Sequence, residues 1–379
     1  MKRIISAALA LTILVSCVFL AGCSEEKYPA LVTYGDTEVS VNMFNYMLSQ
    51  SKTMTLYSMS KTSDDASYWD TDQGKIIAAD IMDNAIFNAK LMAYYAETAA
   101  QNGLSLTNED NDEIKTMLDE MTALYGGKEG FNSAVANNGV NYDIIKDLYE
   151  LQKLAEKGRD LVVGENGTHP ITDDDYMTYY KGNYVTLRHI NLNNVNKIDP
   201  TTSKAVPLTE EEKATVEAQA TQIEVGLASG QALSDFASES ADSFMSLCPT
   251  GLTLPTASAE LLTLAYAAEN EEDPTYLNIF GLYYYLMNNV EGFADAAVNL
   301  TEGEVKRLNT SKGIFFLQKL PLDMEMYDAF RNIMTETSSV ESLKTRELIQ
   351  EMDSQFTVDS DALSSFTVKG TSIIELPQQ

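Results

Sequence analysis

The stretch Tyr184-Val185-Thr186-Leu187-Arg188-His189-Ile190-Asn191-Leu192 is where the character of this chain changes. It is dense in β-branched and aromatic residues and alternates apolar with polar, the period of a strand with one face buried. Downstream, Thr209-x-x-Glu212 is a capping box, and Val216, Ala220, Ile223 and Leu227 form the apolar stripe of the helix it opens. Gly230 ends that helix. Shorter helices are predicted over 232–240 and 292–299, and a final strand over 313–320 closed by Pro321. Between them, residues 252–289 are apolar and unusually aromatic, with Tyr283-Tyr284-Tyr285 at their heart.

Upstream the period is helical. Leu31-Val32-Thr33-Tyr34 reads as a strand turned at Gly35-Asp36, and Ser40 caps a helix with Phe44, Met47, Ser51 and Met54 on one face. Residues 60–73 are polar and read as loop. From Lys75 to Ala99, Met82, Ile86, Ala89, Ala93 and Ala96 repeat at four-three-four-three spacing. A second helix over 109–125 turns Ile114, Met117, Met121 and Leu124 inward, until Gly126-Gly127 stops it. A third, from Tyr142, uses Ile145, Leu148, Leu151 and Ala155, and Thr172-x-x-Asp175 caps one more. Helical periodicity returns after Met324, with Phe330, Met334, Leu343 and Leu348 available for packing.

The chain opens as a secretory signal does. Met1-Lys2-Arg3 is basic, Ile4 to Ala21 is an apolar run without charge, and Leu20-Ala21-Gly22-Cys23 ends it. Small residues before a cysteine mark a lipobox, with Cys23 as the lipid site; the competing reading is a retained anchor, since the run nears the ~20 residues that span a bilayer. Both put the body of the chain outside the cytoplasm. A formal charge of −30 repels nucleic acid and anionic headgroups alike. Cys17 leaves with the signal and Cys23 carries lipid, so Cys248 stands alone and no disulfide is expected. With only His169 and His189 besides, there is little material for a metal site or a Cys-His hydrolase, and no cofactor is expected.

The order of parts resembles the PrsA-like foldase lipoproteins and the related SurA-like chaperones. The likeness is carried by residues 31–36 and the helix after them, by Ala100-Gln101-Asn102-Gly103-Leu104-Ser105-Leu106-Thr107, by Gly127-Lys128-Glu129-Gly130-Phe131, and by Ile171 through Tyr180. It implies an α+β fold: a mainly helical, SurA-like domain built from both ends of the chain, with an inserted parvulin-like domain of small antiparallel sheet plus helices. The boundaries expected are signal 1–22, tether 23–30, helical domain 31–183, parvulin-like domain 184–321, and a C-terminal helical segment 322–379 packing on the first domain.

Within the middle domain, Leu187-Arg188-His189-Ile190 is similar to the opening strand of a parvulin-type prolyl isomerase, which carries one of two active-site histidines. Residues 230–240, 291–297 and 300–305 match later parts of that family. The resemblance implies His189 as a catalytic residue, Cys248 near the family's cysteine, Phe293 as the aromatic wall of a proline pocket, and Asn289 at its methionine. It also shows departures. Phe315 stands where the second histidine belongs, and residues 252–289 replace the glycine-rich stretch that supplies an acidic group.

Rotation about an X–Pro bond faces a barrier of ~20 kcal/mol and changes no covalent bond, so a catalyst needs a dry pocket and polar groups that favour the twisted amide. Phe315 cannot hydrogen-bond, which predicts weak or absent isomerase activity. Simpler roles stand beside these: His189 satisfied by a backbone group, Cys248 a small buried apolar residue, Phe293 core. The function expected is a membrane-anchored, extracytoplasmic folding factor that binds unfolded exported polypeptides. The alternatives are an active prolyl isomerase and, behind it, a solute-binding lipoprotein, for which the first half lacks repeated strand-helix alternation.

Overall fold

The computed structural model describes residues 28–59, 61, 63–242, 244–268 and 274–374; the signal region, Cys23 and most of the tether lie outside them. The chain forms two compact units, one from the residues up to Ile171 together with those from Glu341 onward, the other from Thr172–Val340.

In the first unit, β1 (Ala30–Tyr34) and β2 (Thr37–Ser40) form an antiparallel hairpin. The turn needs a left-handed residue, and Gly35 supplies it at φ 59°. A side chain there would also strike the Glu97 carboxylate, which accepts from the Asp36 N–H at 3.2 Å and the Thr37 hydroxyl at 2.8 Å. Ser40 then caps α1 (Val41–Ser58) by accepting from the Met43 N–H at 3.2 Å. Helix α2 (Asp72–Gln101) follows, with Ala85, Ala89, Ala93, Ala96 and Ala99 buried along it. Helix α3 (Asn108–Ala123) opens on a Thr107–Asp110 capping box, α4 (Lys128–Val135) is short, and Asn141 caps α5 (Tyr142–Val162). Small residues let α2 and α5 approach until their backbones touch: a Cβ on Gly158 would lie 1.8 Å from the Tyr95 carbonyl oxygen.

The second unit begins with α6 (Asp173–Asn183), opened by the Thr172–Asp175 capping box that the sequence predicts. It continues with β3 (Tyr184–Leu192), a small β4–β5 hairpin (Asn196–Ile198, Ala205–Pro207) and α7 (Glu210–Ala228), whose Thr209–Glu212 capping box is also formed. After a 3-10 segment over Leu233–Glu239 come α8 (Phe244–Leu247), β6 (Leu252–Pro255), α9 (Ser258–Ala268), α10 (Pro274–Asn289), α11 (Phe293–Asn299), β7 (Val305–Thr310), β8 (Gly313–Leu320) and α12 (Tyr327–Glu336). The sheet order is β6-β3-β8-β7, antiparallel throughout. His189 lies opposite Leu317, and Asn191 opposite Phe315. Side chains alternate along each strand, so His189, Asn191, Phe315 and Leu317 share one face.

The chain then returns to the first unit through α13 (Ser339–Glu351), β9 (Thr357–Val358) and α14 (Ser360–Ser364). Strand β9 pairs with the free edge of β1, giving the order β2-β1-β9. Glu341 accepts from both ends of the Arg159 guanidinium, the Nε bond being 2.6 Å. The fold is thus α+β as expected, a helical unit made from both ends of the chain and a sheet-bearing unit from its middle. Among the described residues no helix is long and apolar enough to cross a membrane.

The compact units meet at 171/172 and 340/341, so α6 and α12 group with the sheet. They join it through an aromatic cluster in which the Tyr184 ring lies 4.8 Å from Tyr180 and 5.0 Å from Phe330. Several expectations are corrected. Met54 and Leu124 face outward, 42% and 63% exposed, because α1 turns Tyr46, Leu48 and Lys52 inward and α3 turns Leu118. The polar stretch 60–73 contains the buried Trp69, whose indole donates to Asp64 at 2.8 Å.

The α2–α5 contact yields a test. Gly158→Ala should destabilise the chain by about 1–3 kcal/mol through overpacking, read as a lowered urea midpoint. Gly182→Ala, where a Cβ meets nothing within 4 Å, should leave the midpoint unchanged or raise it slightly. An unshifted midpoint for Gly158→Ala would contradict the close approach.

Candidate functional site

The site is built on β3. Its alternation points His189 to the face covered by α8, α10 and α11, where the imidazole is 0% exposed. A buried polar ring is costly unless its nitrogens are satisfied. Here both are: Nε2 lies 2.9 Å from Asp242 Oδ2 and Nδ1 2.9 Å from the Tyr283 hydroxyl. The partners assign the tautomer. An ionised Asp242 can only accept, so Nε2–H donates to it, and Nδ1 accepts the Tyr283 O–H.

Asp242 is held by its own loop. Its Oδ1 accepts from the Ser240 hydroxyl and from the Phe244 N–H, each at 3.1 Å. That loop is tied to the strand, since Ala241 N–H donates to the Asn191 carbonyl at 2.7 Å and Asn191 N–H to the Ser240 hydroxyl at 3.1 Å. Burial pushes the Asp242 carboxyl up; the hydrogen bond from His189, with the Phe244 and Ser240 donors, outweighs that and holds it below the ordinary carboxylate range. The Tyr283 hydroxyl goes well above its usual value, through burial and then the Asp242 charge, so it stays neutral and donates.

Aromatic rings close the remaining sides. The imidazole stacks on Phe244 at 4.5 Å and 21°, with Tyr283 at 5.5 Å, Phe315 at 5.9 Å and Phe293 at 6.4 Å. Phe293 and Phe315 meet edge to face at 5.7 Å. Phe244, Tyr283, Phe293 and Phe315 are each at most 1% exposed. Among the described residues these rings enclose the imidazole, and both its nitrogens have partners.

Of the residues singled out from the sequence, His189, Phe293 and Phe315 come together. Cys248 sits just after α8, buried, its thiol pushed up by burial and so not a ready thiolate. Asn289 does not join them. It is exposed on α10 and donates to the Tyr285 carbonyl at 3.2 Å, because the helical period turns it away from the face carrying Tyr283. The expectation that His189 is satisfied by a backbone group is corrected as well, since side chains satisfy it.

Sequence reasoning missed Asp242, Tyr283 and Phe244. The acid-supplying stretch is missing from the sequence, with residues 252–289 in its place; the acidic partner of His189 is Asp242, ahead of them. Those residues contribute β6 and the Tyr283 hydroxyl. An Asp two places before a short helix is a usable signal for Asp242, and the tyrosine triplet was visible without a reason to choose its first member. Among the described residues, no three His, Cys, Asp or Glu side chains are grouped to hold a metal ion.

Compared with known proteins, the chain matches no family model and no curated protein. Among solved structures it is similar to PrsA from Bacillus subtilis, at 16% identity and TM-score 0.22 over 78% of this chain and 96% of that one. It is similar also to the peptidylprolyl isomerase PrsA from Bacillus cereus, at 18% identity and TM-score 0.28 over 88% and 95%. A third is the foldase protein PrsA from Streptococcus pneumoniae, at 14% identity and TM-score 0.23 over 78% and 93%. Such scores leave the chemistry of the site to its own residues.

The His189–Asp242 pair, half-buried on the Asp242 side, has a pH signature. A carboxyl whose folded pKa is depressed adds stability that is present above the unfolded value of ~3.9 and is lost as pH falls through the folded one. Asp242→Asn should therefore cost about 2 kcal/mol at pH 7, and its deficit against the parent should shrink below pH 4. Urea denaturation at pH 7 and pH 3 measures this. A deficit equal at both values would mean that Asp242 is not held as an ionised partner of His189.

Proposed function

We propose that this chain is an extracytoplasmic folding factor, lipid-anchored through Cys23, that binds unfolded exported polypeptides and in which the His189 unit is catalytically silent. The observation that carries the second half is the occupied imidazole. An isomerase must offer polar groups to an amide rotating over a barrier of ~20 kcal/mol. Here both nitrogens are already engaged inside a sealed aromatic shell, and Phe315 presents only carbon. The parts that would make a proline cleft have become core.

Binding is supported by the helical unit. Met54, Tyr57, Ile76, Leu104, Leu124 and Leu343 leave 38–63% of their surfaces in solvent. Met and Tyr suit contact with varied chains, the one by adapting its shape and the other by meeting both apolar and polar groups. A net charge of −30 keeps an assembly with a sticky client dispersed.

Two measurements test this. The purified mature chain should suppress aggregation of an unrelated unfolded protein at near-stoichiometric ratios, and absence of suppression over a wide concentration range would remove the binding role. In a protease-coupled proline-peptide assay it should add nothing to the uncatalysed rate. Turnover abolished by His189→Ala or Phe293→Ala would overturn the silent reading and place isomerase activity in this pocket.

A further inference from the structure

The last described residues of the first unit are held in an unusual way. Residues 371–374 belong to no helix or strand, yet their main chain is gripped by buried side chains. Lys52 is 0% exposed, and its ammonium donates to the Thr371 carbonyl at 2.7 Å and to Asp64 at 2.6 Å. Asp64 is fixed in turn by the Trp69 indole, whose ring lies 5.2 Å from the same ammonium. Asn138, 1% exposed, donates from Nδ2 to the Ser372 carbonyl at 3.0 Å and to the Ser49 hydroxyl at 2.8 Å. The Thr53 hydroxyl accepts the Ile374 N–H at 2.9 Å.

Apolar packing alone would anchor a terminal segment. Phe366, edge to face with Phe44 at 5.2 Å, the buried Val368, and Ile373 and Ile374 packed on the core already provide it. A lysine and an asparagine taken out of water to read carbonyls add something else, namely recognition of backbone regardless of side chain. The reading is also incomplete. Asn138 Oδ1 is buried and has no partner among the described residues, so half of the two-way pairing an amide can make with an extended chain is unused. A cavity of about 300 Å³, lined by Asp64, Ser133, Ala134, Asn137, Ser372 and Ile373, continues beside the segment.

We propose that this groove is a binding site for extended polypeptide main chain, occupied in cis by the protein's own residues 371–374, which an unfolded client displaces. The inference rests on the folding-factor reading and locates one of its client sites. A client whose N–H falls opposite Asn138 Oδ1 makes the bond the strap leaves unmade. The strap sets the threshold. A tethered segment competes at an effective concentration on the order of 1 mM, so a strap of ~10 µM intrinsic affinity weakens the apparent affinity of a free peptide about 100-fold.

The test uses the full chain. A fluorescein-labelled peptide with the sequence of residues 367–374 is titrated into the parent and into an Ile373→Ser/Ile374→Ser double variant, whose strap has lost its apolar hold. The variant should bind at least tenfold more tightly; equal binding by a variant with unchanged circular dichroism and melting would overturn the proposal. A second readout needs no variant. Hydrogen exchange of the amides of residues 370–374 in the parent should accelerate on adding excess reduced, carboxymethylated α-lactalbumin. Aggregation suppression with those amides unmoved would sink the strap and leave the folding-factor reading standing. No suppression by either chain would remove that reading itself.

Discussion

A histidine with no access to water must find two hydrogen-bond partners inside the protein, and much of the middle unit follows from that requirement at His189. One partner, Asp242, needs a loop pinned to β3 by Ser240 and Ala241. The other, Tyr283, needs α10 brought down onto the sheet. With both in place, Phe244, Phe293 and Phe315 fill the remaining directions, and the polar pair sits in a low-dielectric surround that strengthens it. Removing either partner would leave a buried polar group unpaired, so sealing and pairing depend on each other.

The same economy appears at a second buried polar group in this unit. Glu260 is 0% exposed on α9 and accepts from the Tyr179 hydroxyl at 2.8 Å and the Tyr184 hydroxyl at 2.6 Å. It ties α9 to α6 and to the start of β3. Residues 252–289 are therefore fastened at both ends by tyrosine hydroxyls, one on a histidine and two on a glutamate. Its aromatic richness has a structural use, since a tyrosine can pack as a ring and still satisfy a polar group at its tip.

What could be read from sequence is what local physics decides. The capping boxes at Thr172 and Thr209, the strand at 184–192 and the closing strand at 313–320 are legible because their signals lie within a few residues. Side chains chosen by tertiary contact were not. Trp69 sits in a polar stretch with no period, and Asp242 in a loop. Strand β9 is two residues long and exists only because β1 offers an edge. Lys52 is buried by Asp64, Trp69 and the Thr371 carbonyl, none of them within ten residues of it in sequence. At the site His189, Phe293 and Phe315 lie together, while the hydrogen-bonding partners of the imidazole come from residues without a motif.

The division of the chain also dictates an order of events. Residues 172–340 are contiguous and can close their sheet as soon as they have emerged. The first unit cannot, since β1 has one unpaired edge, Arg159 lacks Glu341, and Lys52 lacks the Thr371 carbonyl until the last part of the polypeptide arrives. Made from its amino end, this molecule keeps that half unfinished until residues 341–374 are present. Maturation of the helical unit thus waits on residues 341–374, and a copy lacking them would carry a finished middle beside an open first unit.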